Sequence, residues 1–311
     1  MKTCDIITLT INPSLDKSTH FSGLVPDLKI QCDPPQYDAG GGGINVSKAI
    51  CRLGTSSLAV FTSGGASGAM LEALLQKETK ITVRPIQTQN WTRENFIASD
   101  RHTNAQYRFG FSGAPIAKKE QQQIVEVMQQ SKGNYFVLSG SLNEGVSTDF
   151  YQQIATIAKA NGAKVIVDTS GEALRKVLDI GVYLVKPNVG ELAKLIGVEK
   201  LELDAVANAA KKLIENGSAE IVVVSLGSQG AVLVTKDQNE FVAAPHVVKK
   251  STVGAGDSMV GAMVWALSKN KSLKEVIQWG VACGSAATMN EGTQLFKLED
   301  AQRLFEWLQK K

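Results

Sequence analysis

Short, continuous, largely β-branched apolar runs recur along the chain at Ile6–Ile11, Leu58–Phe61, Tyr135–Leu138, Lys164–Val167, Tyr183–Val185 and Ile221–Val224. Runs without polar alternation predict strands covered on both faces. Between them, Ile44–Leu53, Met70–Lys77, Gln121–Gln130, Asp149–Asn161, Ala173–Leu178, Leu192–Ile196 and Ala205–Asn216 repeat apolar residues at three- and four-residue spacing, the helical period. Strands alternating with helices predict an α/β protein with a mainly parallel sheet flanked by helices. Two regions break the rhythm. Residues 17–38 and 91–112 lack helical periodicity and show runs such as Asn95–Ala98 and Gln106–Phe111 between turn-forming residues, predicting a small second sheet off the main body. The last third predicts strands at Ala231–Thr235 and Phe241–Ala244, then helices over 258–269, 273–289 and 298–309.

Composition narrows the function without identifying it. At 311 residues, 43% hydrophobic and 20% charged, the chain is neither disordered nor fibrous. Its 33 Lys and Arg against 30 Asp and Glu leave a charge of +3, too small and too evenly spread for a nucleic-acid or membrane-surface partner, and compatible with a small anionic substrate. Cys4, Cys32, Cys51 and Cys283 form no CxxC pair, so neither zinc nor a disulfide framework is expected and a reducing cytoplasm fits. No segment approaches the ~18 continuous apolar residues of a membrane span. His20, His102 and His246 stand singly and receive no role.

In open α/β sheets ligands bind beyond the carboxyl ends of strands. Those positions hold Asn12-Pro-Ser-Leu-Asp16, Ser139-Gly-Ser141, Asp168-Thr-Ser170, Lys186-Pro-Asn188 and Ser225-Leu-Gly227. Each alone is ordinary turn chemistry; their joint placement points to one crevice. Ser251–Ser258 precedes a helix, so Gly254, Ala255 and Gly256 lie where unpaired amides attract an anion. Asp257 can then aim its carboxylate at an attacking hydroxyl, or merely cap the helix; the spacing suits both. If it is the base, the helix N-terminus is expected to keep it ionised. Gly40–Gly43 before a helix is either a close-approach loop for a ligand or a flexible turn. No Walker-type loop occurs, and no dinucleotide fingerprint follows the first strand. Asn188-Val-Gly-Glu191 is a capping box by spacing, while Glu191 also suits magnesium.

Taken together, Asn12–Asp16, Gly40–Gly43 with Ile44-Asn45-Val46, Lys186-Pro-Asn188 with Glu191, Ser225-Leu-Gly227 and Gly254-Ala-Gly-Asp257 resemble the PfkB sugar-kinase family, also called the ribokinase family, from the first strand to the last helices. The resemblance implies one kinase domain over 1–311 with a ribokinase-like, doubly wound, mainly parallel sheet. A small β-sheet lid from 17–38 and 91–112 is implied to be inserted in it. Gly40–Asn45, Trp91-Thr-Arg93, Ser139-Gly-Ser141, Asp168–Ala173 and Ser251–Met263 most resemble the minor bacterial 6-phosphofructokinase branch. Tagatose-6-phosphate kinases and 1-phosphofructokinases are its neighbours.

The resemblance implies that ATP phosphorylates fructose 6-phosphate by in-line transfer, with Asp257 as base and the amides of Gly254, Ala255 and Gly256 as anion hole. It implies that Asp16, Gly41, Gly42 and Asn45 touch sugar hydroxyls, and that Arg93, Ser139 and Lys29 hold the sugar phosphate. Lys186, Asn188, Ser225, Gly227, Gly230 and Ser285 are the positions it assigns to ATP. By the same likeness Glu191 serves Mg2+, and backbone carbonyls near Ser251, Val253, Ala287, Asn290 and Gly292 hold a monovalent cation, usually K+. Two chains are implied to form a homodimer through the lids, each Lys29 reaching the neighbour's sugar phosphate. Two departures stand out. Gln31 replaces a usual arginine and cannot neutralise a phosphate, whereas Ser251, an aspartate in the wider family, is shared with the phosphofructokinase branch. A nicotinamide oxidoreductase would place its glycine fingerprint where Asn12–Asp16 stand. A non-catalytic sugar-binding protein on the same fold would be expected to lose the base or the anion hole.

Overall fold

The computed structural model describes residues 4–311. The chain opens with β1 (Ile6–Thr10), β2 (Ser14–Phe21), β3 (Gln36–Gly40), α1 (Gly42–Arg52), β4 (Ser57–Ser63), α2 (Gly65–Leu75) and β5 (Ile81–Gln87). It continues through β6 (Arg93–Asp100), β7 (Gln106–Gly110), α3 (Lys118–Gln130), β8 (Tyr135–Ser139), α4 (Phe150–Ala160), β9 (Lys164–Asp168), α5 (Gly171–Leu178) and β10 (Val182–Val185). The remainder is α6 (Val189–Leu195), α7 (Val206–Glu215), β11 (Ala219–Ser225), β12 (Gly230–Val234), β13 (Asn239–Ala243), α8 (Ala255–Ser268), α9 (Leu273–Thr288) and α10 (Leu298–Gln309).

Nine strands form the main sheet in the order β13-β12-β11-β10-β9-β8-β1-β4-β5. All pairings are parallel except β11–β12 and β12–β13, so this is a ribokinase-like mixed sheet. Its inner strands are buried on both faces, as their continuous apolar runs predict, while the edge strands β5 and β13 are partly exposed. Along β8, Tyr135 and Val137 pack with α1, α8, α9 and α10, while Phe136 and Leu138 pack with α3, α4 and α5. Removing a side chain such as Phe136 from water contributes about 1.5–3 kcal/mol. Chain order reverses at β1, with β4 on one side and β8 on the other. That is the switch point at which such sheets open a crevice.

The pattern missed β5. Arg84 and Pro85 interrupt its apolar run, and it lies at the sheet edge, where alternating burial and a proline are tolerated. No described helix is long and apolar enough to cross a membrane.

A separate four-stranded sheet has the order β3-β2-β6-β7. It differs from the expected 17–38 and 91–112 in extent. β2 starts at Ser14, directly after the turn that ends β1, and β3 runs to Gly40, directly before α1. Most of 22–35 is irregular, with Pro26 and a positive φ at Asp27 interrupting strand geometry. One face of this lid carries Asp16, Arg93 and Asn95 toward the main sheet. The other carries a ladder of rings: Phe96 stacks on Phe109 at 5.9 Å, Phe21 meets Tyr107 at 6.1 Å, and Lys17 lies over Tyr37.

Candidate active site

The crevice is assembled where β1, β8 and α1 meet. α1 starts after Gly41, which has no capping side chain, and Thr10 Oγ1 at the end of β1 accepts a hydrogen bond from Ile44 N at 2.9 Å instead. The helix start is thereby fixed to the strand. A Cβ on Gly42 would lie 2.3 Å from Ser139 Oγ and 2.7 Å from Gly140 N, so only glycine lets the two loops meet. The loop reading of Gly40–Gly43 therefore has a packing cause at the crevice floor.

On the other side, α8 begins at Ala255 after Gly254, held at φ 72°. The amide of Ala255 spends itself on a long 3.4 Å bond to Thr252 O, while those of Gly256 and Asp257 have no backbone partner among the described residues. An anion site of backbone N–H groups results. Asp257 does not cap this helix. It occupies the third helical position, and its Oδ2 accepts from Asn45 Nδ2 on α1 at 2.8 Å. The expectation that the helix keeps Asp257 ionised is corrected: burial first, then the charge of Asp168, push its carboxyl up to about 7. The Asn45 hydrogen bond and the Lys186 ammonium oppose that rise without cancelling it. The helix end acts over one turn in partial charges, whereas a full carboxylate charge nearby and lost hydration act on the same group more strongly.

Asp168 is visible in the sequence at a strand end, with nothing there to assign its chemistry. Its Oδ1 pairs with Lys186 Nζ at 3.1 Å, and both side chains are largely buried, 16% and 7% exposed. Burial works to lower the Lys186 pKa, yet the Asp168 carboxylate together with the charges of Glu191 and Asp257 outweighs it and the net shift is upward, so the ammonium is retained. A buried cation thus stands beside the anion site: a Cβ on Gly256 would lie 3.7 Å from Lys186 Nζ.

Asp16 is buried in β2 and accepts from Ser14 Oγ at 2.7 Å and from Asn95 Nδ2 at 2.8 Å. Burial raises its pKa against these bonds. Asn95 escapes a reading by sequence, since its signal is only its place two residues after Arg93 on the same strand face. Arg93 donates to Asn12 O at 3.3 Å and Phe111 O at 3.1 Å, and its Nε is buried without a partner. Ser139 Oγ is orphaned in the same way. Unpaired buried donors are costly and fit an oxyanion ligand.

Asn188 and Glu191 form the full capping box, with Glu191 N donating to Asn188 Oδ1 and Asn188 N donating to Glu191 Oε2, both at 2.9 Å. The local reading of that motif is therefore realised. Ser225 lies beside it, its N donating to Pro187 O at 3.1 Å. Gly227 follows in a turn, and Gly230 opens β12 against the backbone of Val242 and Ala244. Ser285 is on α9, whose neighbouring Gly284 lies against Ala255. The 251–253 and 287–292 segments are sewn together by Ser251 Oγ donating to Gly292 O at 2.8 Å and Ser251 N donating to Thr288 O at 3.2 Å. Val253, Ala287 and Asn290 lie on these same two segments.

Lys29 and Gln31 are not brought into the crevice of their own chain. Both are exposed on the irregular 22–35 segment, and neither hydrogen-bonds to Arg93 or Ser139 among the described residues.

The family model described as pfkB family carbohydrate kinase matches residues 4–301. The chain is 44% identical over 305 residues to the ATP-dependent 6-phosphofructokinase isozyme 2 of Escherichia coli (strain K12), covering 97% of this chain and 98% of that protein. It is also similar to crystal structures of phosphofructokinase-2 from Escherichia coli. The TM-score is 0.94 for the complex with potassium, 0.93 for that with fructose-6-phosphate and 0.92 for the tetrameric inhibited form. Identity is 41–42%, and each match covers 99% of this chain and 100% of the other.

Proposed function

Because the chain belongs to the pfkB family of carbohydrate kinases, we propose that it transfers the γ-phosphoryl group of ATP to the 1-hydroxyl of fructose 6-phosphate. The products are fructose 1,6-bisphosphate and ADP. The observation that carries this is the Asn45-held carboxylate of Asp257 beside the free amides of α8. Those two elements are a base and an anion hole at one place.

Asp257 takes the proton of the attacking hydroxyl, and a carboxyl pushed up to about 7 is a better proton acceptor near neutral pH than an ordinary one. The transferred phosphoryl group rests on the amides of Gly254, Ala255 and Gly256, Ala255 exchanging its long bond to Thr252 O for a phosphoryl oxygen, with Lys186 beside them. Asp16, Gly41, Gly42 and Asn45 orient the sugar. The orphaned donors of Arg93 and Ser139 hold its 6-phosphate, an exchange of unpaired burial for charge-assisted hydrogen bonds. ATP extends past Lys186, Asn188 and Ser225 toward Gly227, Gly230 and Ser285.

Glu191 fits Mg2+ in part. No group of three or more acidic, histidine or cysteine side chains gathers among the described residues, so the triphosphate must supply most of the ligands. Bound with ATP, the ion neutralises phosphate charge. The carbonyls near Ser251, Val253, Ala287, Asn290 and Gly292 fit K+, an ion named in a relative's structure. Two loops sewn together beside the α8 N-terminus supply such oxygens without charge.

The 17–38 and 91–112 lid serves as the interface of a homodimer. Its outer rings and the exposed Leu24, Val25 and Leu28 support this, as does the exposure of Lys29, which gains a function if it reaches the partner's sugar phosphate. A relative's tetrameric form leaves room for dimers as building units. The reaction, its soluble substrates and four free cysteines suit the cytoplasm.

ADP release by the purified chain tests the reading with fructose 6-phosphate, tagatose 6-phosphate, fructose 1-phosphate and unphosphorylated sugars. The highest kcat/KM is expected with fructose 6-phosphate. A preference for fructose 1-phosphate or an unphosphorylated sugar overturns the acceptor, and no turnover with any sugar overturns the activity.

A further inference from the structure

One cation on the inner face of the lid has no part in that reaction scheme. In the lid register Asp16 lies opposite Asn95, and Arg108 of β7 lies opposite Ile97, two residues further along β6. Side chains alternate along a strand, so Arg108 shares the inward face of Arg93 and Asn95. It reaches the main domain: Nη2 donates to Thr252 Oγ1 at 3.2 Å across 144 residues of sequence, and Nε donates to Gln106 Oε1 at 2.8 Å. Arg101, Arg175 and Arg303 each pair with a carboxylate, whereas Arg108 has no acidic partner among the described residues. A guanidinium with only neutral partners is therefore tied to the turn that leads, two residues later, into Gly254 and the free amides of α8.

We propose that Arg108 is a catalytic residue that leaves Thr252 when both substrates are bound and donates to the oxygens of the phosphoryl group in transit. The inference rests on the kinase reading and extends it. The neutral hydroxyl contact is the weaker of the two available, because hydrogen bonds from arginine to phosphate oxygens are charge-assisted and frequently bidentate. A loose phosphoryl-transfer transition state spreads charge over three oxygens, and a planar fork of donors suits that charge better than a point charge. Delivery from the lid makes lid closure a condition of chemistry. The anion hole is then completed only when the acceptor end of the site is also covered.

The test compares Arg108→Ala, Arg108→Lys and Thr252→Val in the full-length enzyme, with melting curves to show that each folds. Arg108→Ala is expected to lower kcat about 10²-fold or more while KM for the sugar phosphate stays within about threefold. Arg108→Lys recovers little of the loss, and added guanidinium partly restores Arg108→Ala. Thr252→Val keeps kcat within about threefold, since the hydroxyl is only the resting partner. Binding of MgADP with aluminium fluoride and fructose 6-phosphate weakens in Arg108→Ala, whereas binding of MgADP alone does not. Near-normal kcat in Arg108→Ala overturns the proposal. So does a Thr252→Val loss equal to that of Arg108→Ala, which would make the arginine a latch. A raised sugar-phosphate KM with kcat intact also overturns it, by moving Arg108 to the acceptor's phosphate. An unaltered enzyme that phosphorylates no sugar sinks the kinase reading and Arg108 with it. An active enzyme whose Arg108→Ala variant is equally active sinks Arg108 alone.

Discussion

The two ends of the crevice are built differently. At the main-sheet end, Asp257, Asn45, Asp168 and Lys186 stand on strand ends and helix starts, hold one another at 2.8 and 3.1 Å, and are largely enclosed. At the lid end, Lys29 and Gln31 are exposed on irregular chain, and Arg108 rests on a threonine. The enclosed end is finished within one chain, because each of its groups is fixed by an element with a buried apolar face. The lid end has too little apolar cover to fix long cationic side chains by itself. In the proposed reading it is completed by substrate and by the partner lid of a dimer. The enclosed groups are placed by the fold of one chain, whereas the exposed cations of the lid have yet to meet the anions that would pair them.

Substitutions can break this contrast. Asp257→Asn removes the proposed base without removing its oxygen contact to Asn45, and kcat should fall about 10²-fold or more while ATP binding survives. Near-normal turnover in a steady-state assay would refute the assignment. Arg93→Ala acts at the acceptor side. It removes a charged contact of about 1.5–3 kcal/mol, so KM for fructose 6-phosphate should rise roughly 10–100-fold while KM for ATP barely moves. An equal rise for both substrates would show that the two ends are not separate.

The lid end can be tested as a shared site. Mixing Asp257→Asn chains with Lys29→Ala chains that exchange subunits should restore activity, because one hybrid site then has an intact base and an intact lysine. No recovery, or a fully active monomer by light scattering, removes Lys29 from the partner's site. Phe109→Asp, on the outer ring ladder, should convert the proposed dimer to monomer and raise the sugar-phosphate KM. An unchanged mass would place the interface elsewhere.

Acid–base behaviour sharpens the enclosed end. With Asp257 pushed up to about 7, kcat/KM for the sugar phosphate should fall as pH drops below that value, because the protonated base accepts no proton. Asp168 raises this pKa, so Asp168→Asn should move the acid limb to lower pH. The smallest effect is on stability. A carboxyl whose folded pKa lies above its unfolded value of 3.8 favours the fold at low pH and loses that contribution as pH rises through about 7. Asp257→Asn should therefore raise Tm at pH 8, with the gain fading toward pH 4, and a Tm difference independent of pH would contradict the shift.

Much of this molecule is legible in its chain of letters, and unevenly. The six apolar runs became β1, β4, β8, β9, β10 and β11, because strands buried on both faces leave a continuous pattern that no surface element shares. β5 left none, being an edge strand with Pro85. Glycines before helices marked the crevice at Gly42 and Gly254, since a glycine there answers a demand for space or for positive φ.

The sequence by itself determined the fold class, the strand ends that carry polar residues and the resemblance to a sugar-kinase family. Those are properties of local pattern and order along the chain. Only the tertiary structure decided that Asp257 bonds to Asn45 instead of capping its helix, and that Asp168 both pairs with Lys186 and raises the Asp257 pKa. It alone brought Arg108 to Thr252. These facts join residues 212, 18 and 144 positions apart, and such distances close only when the sheet order and the lid register are set. A residue's charge state depends on the same closure, because desolvation and neighbouring charge come from chain segments that share no pattern with it.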